Sequence, residues 1–305
     1  MTESTNSECT LVVVSTGADS AVPSINQQSD VSGATNDAHL VELWLAGRSV
    51  HTQRAYSKDA GSFLRFVGKP LPTVKVADLQ RWVGSLTGAH TTRARRVSAV
   101  KSLLTFAHRT GYCPFNVGTV VQPPKAKNRL AERIMAEKNM LFLLGSAPPG
   151  RDNALLRFLY HAAGRVSETC GVRWRDLQPR DEAGQVTLFG KGGKTRVVLL
   201  PASTWRALLE LRGDAGLDDH VFRSRTGKPL DPSAVWRIVR KAAKRAGIDS
   251  PVSPHWFRHA HASHALDRNA PVSLVQTTLG HASVATTSRY LHARPGASSG
   301  LYLAD

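Results

Sequence analysis

The chain has 305 residues, of which 41% are hydrophobic, and a formal net charge of +17. This length most naturally makes two domains, and no run approaches the roughly 20 apolar residues of a membrane-spanning helix. Cys9, Cys113 and Cys170 are too scattered for a disulfide framework or a Cys-x-x-Cys metal site, which favours a reducing cytoplasm.

The positive charge is distributed unevenly along the chain. Residues 1–47 contain six acidic side chains and no Lys or Arg, so all 40 basic side chains lie in the remainder. Such an excess on a folded body indicates a polyanionic partner, most often nucleic acid. A basic surface that only confers solubility is the alternative that composition leaves open.

The N-terminal third predicts a tail followed by helices. Residues 1–36 are rich in Ser, Thr, Asn, Gln and Asp, which predicts a disordered tail. Thr52 is predicted to cap a helix, and a shorter helix is predicted over residues 76–86. The apolar face of the first helix consists of residues spaced by four, three and four positions: Tyr56, Ala60, Phe63 and Val67.

Residues 91–111 predict a longer amphipathic helix that ends at Gly111. Its inward stripe consists of Val97, Val100, Leu104 and Ala107. Its other faces carry four candidate contacts to DNA phosphates: Arg93, Arg95, Arg96 and Lys101. The concentration of twelve Lys or Arg side chains within residues 48–110 favours this interpretation over an ordinary solvated face.

The remaining pattern predicts a second domain, mainly α with a small β-hairpin. Residues 37–122 form the predicted helical domain, residues 123–134 a proline-stiffened linker, and residues 135–305 the mixed domain. Two strands, over residues 185–189 and 195–200, are joined by a Gly-Lys-Gly-Gly-Lys turn. Helices are predicted over residues 135–145, 151–163, 204–212, 232–246, 254–267, 271–278 and 283–292.

The second domain also carries residues that suit phosphodiester cleavage. In chain order they are Arg165, Lys191, His255, Arg258, His281 and Tyr290. Arginine holds a phosphate through two parallel hydrogen bonds. A tyrosine hydroxyl can become a covalent leaving group if its neighbours stabilise the charge that develops. The set therefore suggests attack on a phosphodiester by a tyrosine nucleophile.

This constellation resembles the tyrosine recombinases, the phage integrase and Xer-like family. Arg165 lies in Gly-Arg-Val-Ser-Glu, Arg258 ends a His-x-x-Arg box, His281 ends Leu-Gly-His, and Tyr290 follows nine residues later. One His-x-x-Arg pair arises easily by chance. Six expected residue types in order, within residues 165–290, make a specific signal.

The resemblance implies a role for each residue. Arg165 and Arg258 would neutralise the two non-bridging oxygens of the scissile phosphate. Tyr290 would attack phosphorus and form a 3′-phosphotyrosyl bond, a reaction that needs no ATP, other cofactor or metal ion. Lys191, rather than the nearby Lys194, would protonate the departing 5′-oxygen.

The same resemblance assigns His255 to proton handling near the nucleophile and His281 to a hydrogen bond with phosphate. Both could instead be core histidines bonded to backbone carbonyls. The spacing of His255 and His259 is also that of a zinc-binding pair. No Glu accompanies that pair, and Arg258 on the same helix face would repel a cation.

The function expected from the resemblance is site-specific DNA recombination. It implies a two-domain, C-shaped clamp on double-stranded DNA, a homo-tetramer on paired sites, and a cytoplasmic, nucleoid-associated protein. An accessory DNA-bending or regulatory protein is a further candidate partner, and no membrane partner is expected. The alternatives are DNA relaxation of the type IB topoisomerase kind and a catalytically silent DNA-binding regulator.

Overall fold

The computed structural model describes residues 29–123, 130–190 and 193–293. Lys191 and half of the predicted linker, residues 124–129, lie outside these ranges. The chain divides into two compact units, residues 1–127 and residues 128–305. Across the described ranges, no helix combines the length and the apolar character needed to cross a membrane.

The described part of the first unit contains four α-helices. They are α1 Asp37–Leu45, α2 Val50–Val67, α3 Val76–Ser85 and α4 His90–Arg109. Their apolar faces meet in one core, in which Trp82 lies edge-on to Phe63 with ring centroids 5.1 Å apart. Trp44 stacks on Tyr56 at 5.4 Å in the same core. The short helix predicted over residues 76–86 is confirmed.

Helix α2 begins earlier than its predicted cap. The Ser49 side chain, not that of Thr52, is the N-terminal cap, because its hydroxyl accepts a hydrogen bond from the Thr52 backbone N–H. Both residue types are favoured caps, and the sequence alone did not distinguish them. The helix ends at Gly68, which is left-handed as a C-terminal cap often is.

Helix α4 confirms the predicted inward stripe. Its four members are each no more than 1% exposed: Val97, Val100, Leu104 and Ala107. Gly111 follows the helix with φ of +78°, and a side chain at this position would collide with the backbone of Ser29. The helix therefore ends where the glycine permits the chain to turn.

The structure differs from the predicted tail over residues 29–36. The Val31 N–H donates to the Thr110 carbonyl at 2.8 Å, and Ala34 packs against the core of the first unit. Asn36 caps α1 by accepting from the His39 N–H. The contact of Val31 was invisible in a polar composition, because its partner lies just beyond the end of α4. Residues 1–28 lie outside the described part of the chain.

The described part of the second unit contains eight α-helices and one three-stranded sheet. In chain order they are α5 Glu137–Ser146, α6 Arg151–His161, α7 Val166–Gly171, β1 Leu177–Arg180, β2 Ala183–Phe189, β3 Thr195–Leu200, α8 Ala202–Arg212, α9 Pro232–Arg245, α10 Pro254–Asp267, α11 Val272–Leu279 and α12 Val284–Ala293. The predicted class, mainly α with a small sheet, is confirmed. Helix α6 lies in the centre and packs against both α8 and α10.

The sheet contains the predicted hairpin and one strand that was not predicted. Strands β2 and β3 pair antiparallel, with Phe189 opposite Thr195, and their inward side chains join the core. Strand β1 pairs with the other edge of β2. It was missed because Leu177-Gln-Pro-Arg180 has little alternation and contains Pro179, which a sheet tolerates only at an edge.

The end of the predicted linker belongs to the second unit. Leu130 and Ile134 are each 8% exposed and lie in an apolar cluster with Ala163, Leu279 and Tyr290. A short 3₁₀ turn, Ala131–Arg133, connects them. The linker was predicted too long because its charge and prolines masked these two apolar residues four positions apart.

Candidate active site

Separate segments of the second unit bring five of the six predicted catalytic residues towards one region. Arg165 precedes α7, His255 and Arg258 lie near the start of α10, His281 follows α11, and Tyr290 lies in α12. Arg165 lines two clefts. One, of about 860 Å³, includes His255 and the N-terminal ends of α9 and α10. The other, of about 470 Å³, is lined by the hairpin, His281 and the start of α12.

A buried carboxylate supports Arg165. Glu168 Oε1 accepts from the Arg165 guanidinium at 2.8 Å, and Oε2 accepts from the Arg165 backbone N–H at 2.8 Å. Arg196 donates to the same Oε2 at 2.7 Å and to the Thr278 carbonyl at 2.7 Å. Burial would raise the pKa of Glu168, but the hydrogen bonds from Arg196 and Arg165 outweigh it and lower the pKa. The carboxylate thus joins α7, β3 and the end of α11.

The turn from α11 to His281 depends on Gly280. This residue has φ of +62° and caps the helix in the left-handed conformation. A Cβ at this position would lie 3.3 Å from the Arg196 side chain. Glycine is therefore required both by the backbone and by the close approach of Arg196.

Arg258 is held more rigidly than Arg165. It is 3% exposed, and its guanidinium donates to the carbonyls of Ala163, at 2.6 Å, and Leu279. Ala163 has φ of +48°, a conformation that costs a non-glycine residue energy, and it turns the chain just before Arg165. Burial, followed by the charges of Arg165 and Arg196, lowers the pKa of Arg258 to about 10. It stays cationic at neutral pH.

The two predicted histidines stand in a strongly positive environment. Desolvation, then the charges of Arg258 and Arg165, lowers the pKa of His281 to about 4. Desolvation and the same arginines, with Arg133, also lower the pKa of His255. Nδ1 of His281 is paired with the Thr287 hydroxyl at 2.9 Å. Both rings are therefore neutral at neutral pH.

Tyr290 has a different histidine partner from the one expected. Its hydroxyl lies 2.8 Å from Nδ1 of His259, and no hydrogen bond to His255 is found within the described residues. Tyr290 is 6% exposed and His259 is 8% exposed. Burial raises the pKa of Tyr290, although Arg258 and Arg289 partly oppose this. The ring of His255 packs edge-on against that of His259 at 4.3 Å.

The predicted general acid, Lys191, belongs to the turn between β2 and β3. Lys191 is outside the described residues, so its assignment stays a prediction. Lys194 is exposed and lines the smaller cleft with Arg165 and His281. The hairpin closes where the Gly190 N–H donates to the Lys194 carbonyl at 2.7 Å.

The proposed DNA contacts on α4 have partners within the first unit. Arg95 makes a bidentate ion pair with Asp59, a side chain that is 3% exposed, and Arg96 lies 3.9 Å from the same carboxylate. Lys101 donates to the Val121 carbonyl, and Arg93 lies 3.2 Å from the His90 ring. Their role in DNA binding stays a prediction, because these contacts also serve the fold.

Sequence reasoning missed three residues that organise the site. Glu168 appeared only as the last residue of the Gly-Arg-Val-Ser-Glu motif, and Arg196 received no role. His259 was noticed through its spacing from His255, but that spacing was considered only as a metal-binding pattern. Its pairing with Tyr290, 31 positions away, depends on how α10 packs against α12.

Comparison with known proteins agrees with this geometry. Residues 128–296 match the model of the phage integrase family, and residues 37–111 match the model of the phage integrase N-terminal SAM-like domain. The chain belongs to the phage integrase family of tyrosine recombinases. Its activity is site-specific tyrosine recombination.

Named relatives of this tyrosine recombinase support the assignment over most of its length. The tyrosine recombinase XerC of Xylella fastidiosa strain M23 is 33% identical over 258 residues, which cover 81% of this chain and 87% of that protein. The XerC protein of Pseudomonas syringae pv. syringae strain B728a is 33% identical over 259 residues, covering 80% and 86%.

Solved recombinase structures share the fold at low sequence identity. A lambda integrase dimer (residues 75–356) bound to a COC′ core site has a TM-score of 0.70 and 18% identity, with 86% of this chain and 95% of that chain covered. XerH bound to palindromic difH in a post-cleavage complex has a TM-score of 0.68 and 19% identity, covering 85% and 82%.

Proposed function

We propose that this recombinase cleaves and rejoins double-stranded DNA through a 3′-phosphotyrosyl bond to Tyr290. The observation that carries the proposal is the electrostatic grouping of Tyr290 with two arginines. Arg258 interacts electrostatically with both Tyr290 and Arg165, and Arg165 lines the two clefts. This arrangement suits an anionic phosphorus centre attacked by a phenol oxygen.

The transition state is the species that this site would stabilise best. Attack by the Tyr290 oxygen places extra negative charge on the non-bridging oxygens of the phosphate. Arg165 and Arg258 supply fixed positive charge there, and His281 supplies a hydrogen bond. Fixed donors reduce the barrier because they need no rearrangement as the charge develops.

The leaving 5′-oxygen needs a proton, because its alkoxide is strongly basic. We assign this proton to Lys191 at the hairpin tip, following the family position, with Lys194 as the alternative. The 5′-hydroxyl of a partner strand then attacks the phosphotyrosyl bond and releases Tyr290. The bond energy is conserved in the intermediate, so exchange requires no nucleotide cofactor.

The proposed assembly is a homo-tetramer on two paired DNA sites. Lambda integrase, which shares the fold, has been solved as a tetramer bound to a Holliday junction, with a TM-score of 0.67 and 17% identity to this chain. The basic excess outside residues 1–47 supports a DNA partner. An accessory DNA-bending or regulatory protein, and a location at the nucleoid, follow as finer proposals.

The test is to trap the intermediate on DNA from the host. Fragmented genomic DNA is incubated with the wild-type chain and with Tyr290→Phe, the mixture is denatured, and protein-linked DNA is sequenced. Wild type is expected to give protein-linked ends that cluster at one site. Tyr290→Phe removes the nucleophile but little contact area, so it should bind DNA nearly normally and form no adduct.

The same experiment separates the competing activities. Ends scattered over the genome, with relaxation of supercoiled plasmid at any sequence, would instead indicate a type IB topoisomerase activity. DNA binding without any adduct would indicate a silent regulator. An adduct formed equally by Tyr290→Phe would remove the proposed nucleophile.

A further inference from the structure

The hydroxyl of Tyr290 is held by a histidine outside the six predicted catalytic positions. His259 Nδ1 lies 2.8 Å from Tyr290 Oη, within the 2.6–3.2 Å range expected of a general base and its proton donor. The two side chains lie on α10 and α12, which pack together. The inference that follows rests on the proposed function, because it takes Tyr290 as the nucleophile.

We propose that His259, rather than His255, removes the proton from Tyr290 during DNA cleavage. His255 lies one helical turn before His259 on α10, and its exposed ring meets the His259 ring edge-on. His255 also lines the larger cleft beside Arg165. That position suits contact with DNA, while His259 already contacts the reacting oxygen.

The site holds the Tyr290 ring so that its hydroxyl faces His259. The ring belongs to an apolar cluster that includes Ile134, Ala262, Val275 and Leu279. The side chains of these apolar residues offer the hydroxyl no hydrogen bond, and a buried hydroxyl requires one. The interaction with His259 therefore sets both the orientation of the phenol and the route of its proton.

The protonation state of His259 agrees with a proton acceptor. Burial, followed by the charges of His255, Arg133, Arg258 and Arg289, lowers the pKa of His259 to about 3. The imidazole is therefore neutral at neutral pH, so Nδ1 can accept the phenol proton. A bound phosphate adds negative charge among these cations, which raises the affinity of the imidazole for a proton during the reaction.

The step balances in atoms and charge. The Tyr290 Oη–H bond breaks as a bond forms between Oη and phosphorus, and the proton moves to His259 Nδ1. The bond between phosphorus and the 5′-oxygen breaks, and that oxygen leaves with a proton from the general acid assigned to Lys191. When a 5′-hydroxyl attacks the phosphorus of the phosphotyrosyl bond, the amine of Lys191 takes the hydroxyl proton, the bond between phosphorus and Tyr290 Oη breaks, and His259 returns its proton to Oη.

The experiment measures single-turnover cleavage of a DNA fragment that carries the trapped site, as a function of pH. His259→Asn keeps a hydrogen-bond acceptor near Tyr290 but cannot take a proton, and His259→Gln is a second variant in case the first does not fold. His255→Asn is the matched control one turn away. Circular dichroism and a gel binding assay establish that each variant folds and binds DNA.

The expected result is a loss of about 10²- to 10⁴-fold in the cleavage rate of His259→Asn at pH 7. Its rate should then rise about tenfold per pH unit, because hydroxide must ionise the phenol instead. Incorporation of 3-fluorotyrosine at position 290 lowers the phenol pKa and should restore part of the lost rate. His255→Asn, which loses a proposed contact with DNA, should cleave more slowly than the wild type at each pH but keep the shape of the wild-type pH profile.

Other results overturn the assignment. A wild-type or faster rate in His259→Asn would make His259 a positioning residue or a contact that holds Tyr290 at rest. A slow variant without pH dependence or fluorotyrosine rescue would make the loss structural. The rescued defect in His255→Asn would return the base to that residue. Absence of a wild-type adduct, or cleavage by Tyr290→Phe, would instead defeat the proposed function and this inference with it.

Discussion

At the scale of single residues, the two arginines proposed to bind phosphate are held differently. Arg165 is 42% exposed along its side chain and is supported from behind by Glu168, so its guanidinium faces the clefts. Arg258 is buried, and it also satisfies the carbonyls of Ala163 and Leu279. The sequence motif predicted one shared role. The two carbonyls that Arg258 binds belong to residues 95 and 21 positions away, so the motif could not reveal these contacts.

Replacement of these arginines should therefore separate catalysis from stability. Arg165→Ala is expected to slow cleavage by about 10²- to 10³-fold with little loss of DNA affinity or thermal stability. The reason is that the charge of Arg165 mainly stabilises the transition state. Arg258→Ala should slow cleavage similarly and also lower the free energy of unfolding by about 1–3 kcal/mol, since it leaves two buried carbonyls unpaired.

Single-turnover kinetics, gel binding and thermal unfolding of the two variants provide the comparison. Equal losses of rate and affinity would make both side chains simple DNA contacts. Equal stability of the two variants would contradict the structural role assigned to Arg258.

At the scale of elements, local signals predicted α10 and the hairpin well. The bounds of α10 match the prediction, and Pro254 stands at its first turn, where the fixed proline ring favours a helix start. Helix α7 was not predicted, because six residues are too few to show a helical period. What local signals could not give is the packing between elements, which places His259 against Tyr290 and Glu168 against Arg196.

The hairpin tip should contribute chiefly a proton. Lys191→Ala is expected to cleave ordinary DNA slowly but to recover on a substrate with a 5′-bridging sulfur, because a thiolate leaves without protonation. Lys194→Ala is the matched control and should behave nearly normally on both substrates. If only Lys194→Ala shows the rescued defect, the general acid is misplaced by three residues; if neither does, the hairpin only binds DNA.

The histidines of α10 should make the second unit sensitive to acid. The pKa is lowered by burial to about 3 for His259 and to about 4 for His261. The unfolded chain takes up these protons near pH 6.5, whereas the folded chain does not. The free energy of unfolding should therefore fall as pH decreases from about 6.5 to about 3, and these groups should add little further change below that range.

Hydrogen exchange of α10 peptides across a urea series measures this free energy at each pH. In the wild type, His261 Nδ1 lies 2.9 Å from the Tyr160 carbonyl, and His261→Gln keeps a donor for that carbonyl. The variant should reduce the number of protons taken up on unfolding, which sets the slope of the free energy against pH, by up to about one. His51→Gln, at an exposed position in the first unit, is the control and should leave the slope unchanged. A flat profile in the wild type would contradict the account.

At the scale of the whole molecule, composition and motif order predicted the class of the protein. The basic excess outside residues 1–47 indicated a nucleic-acid partner. Six residues in order indicated the family, and the family models and the XerC relatives confirm that family. Composition was a poorer guide to where structure begins. Residues 29–36 and the pair Leu130 and Ile134 contact their units through tertiary packing that polar or charged neighbours obscure.

The most direct test of the central claim is to identify the residue that carries DNA in the trapped adduct. The wild-type complex is digested with protease and nuclease, and the peptide that retains a nucleotide is sequenced by tandem mass spectrometry. The account predicts a single modified peptide with a 3′-linked nucleotide on the oxygen of Tyr290. A nucleotide on any other side chain, or a 5′ linkage at Tyr290, would contradict it.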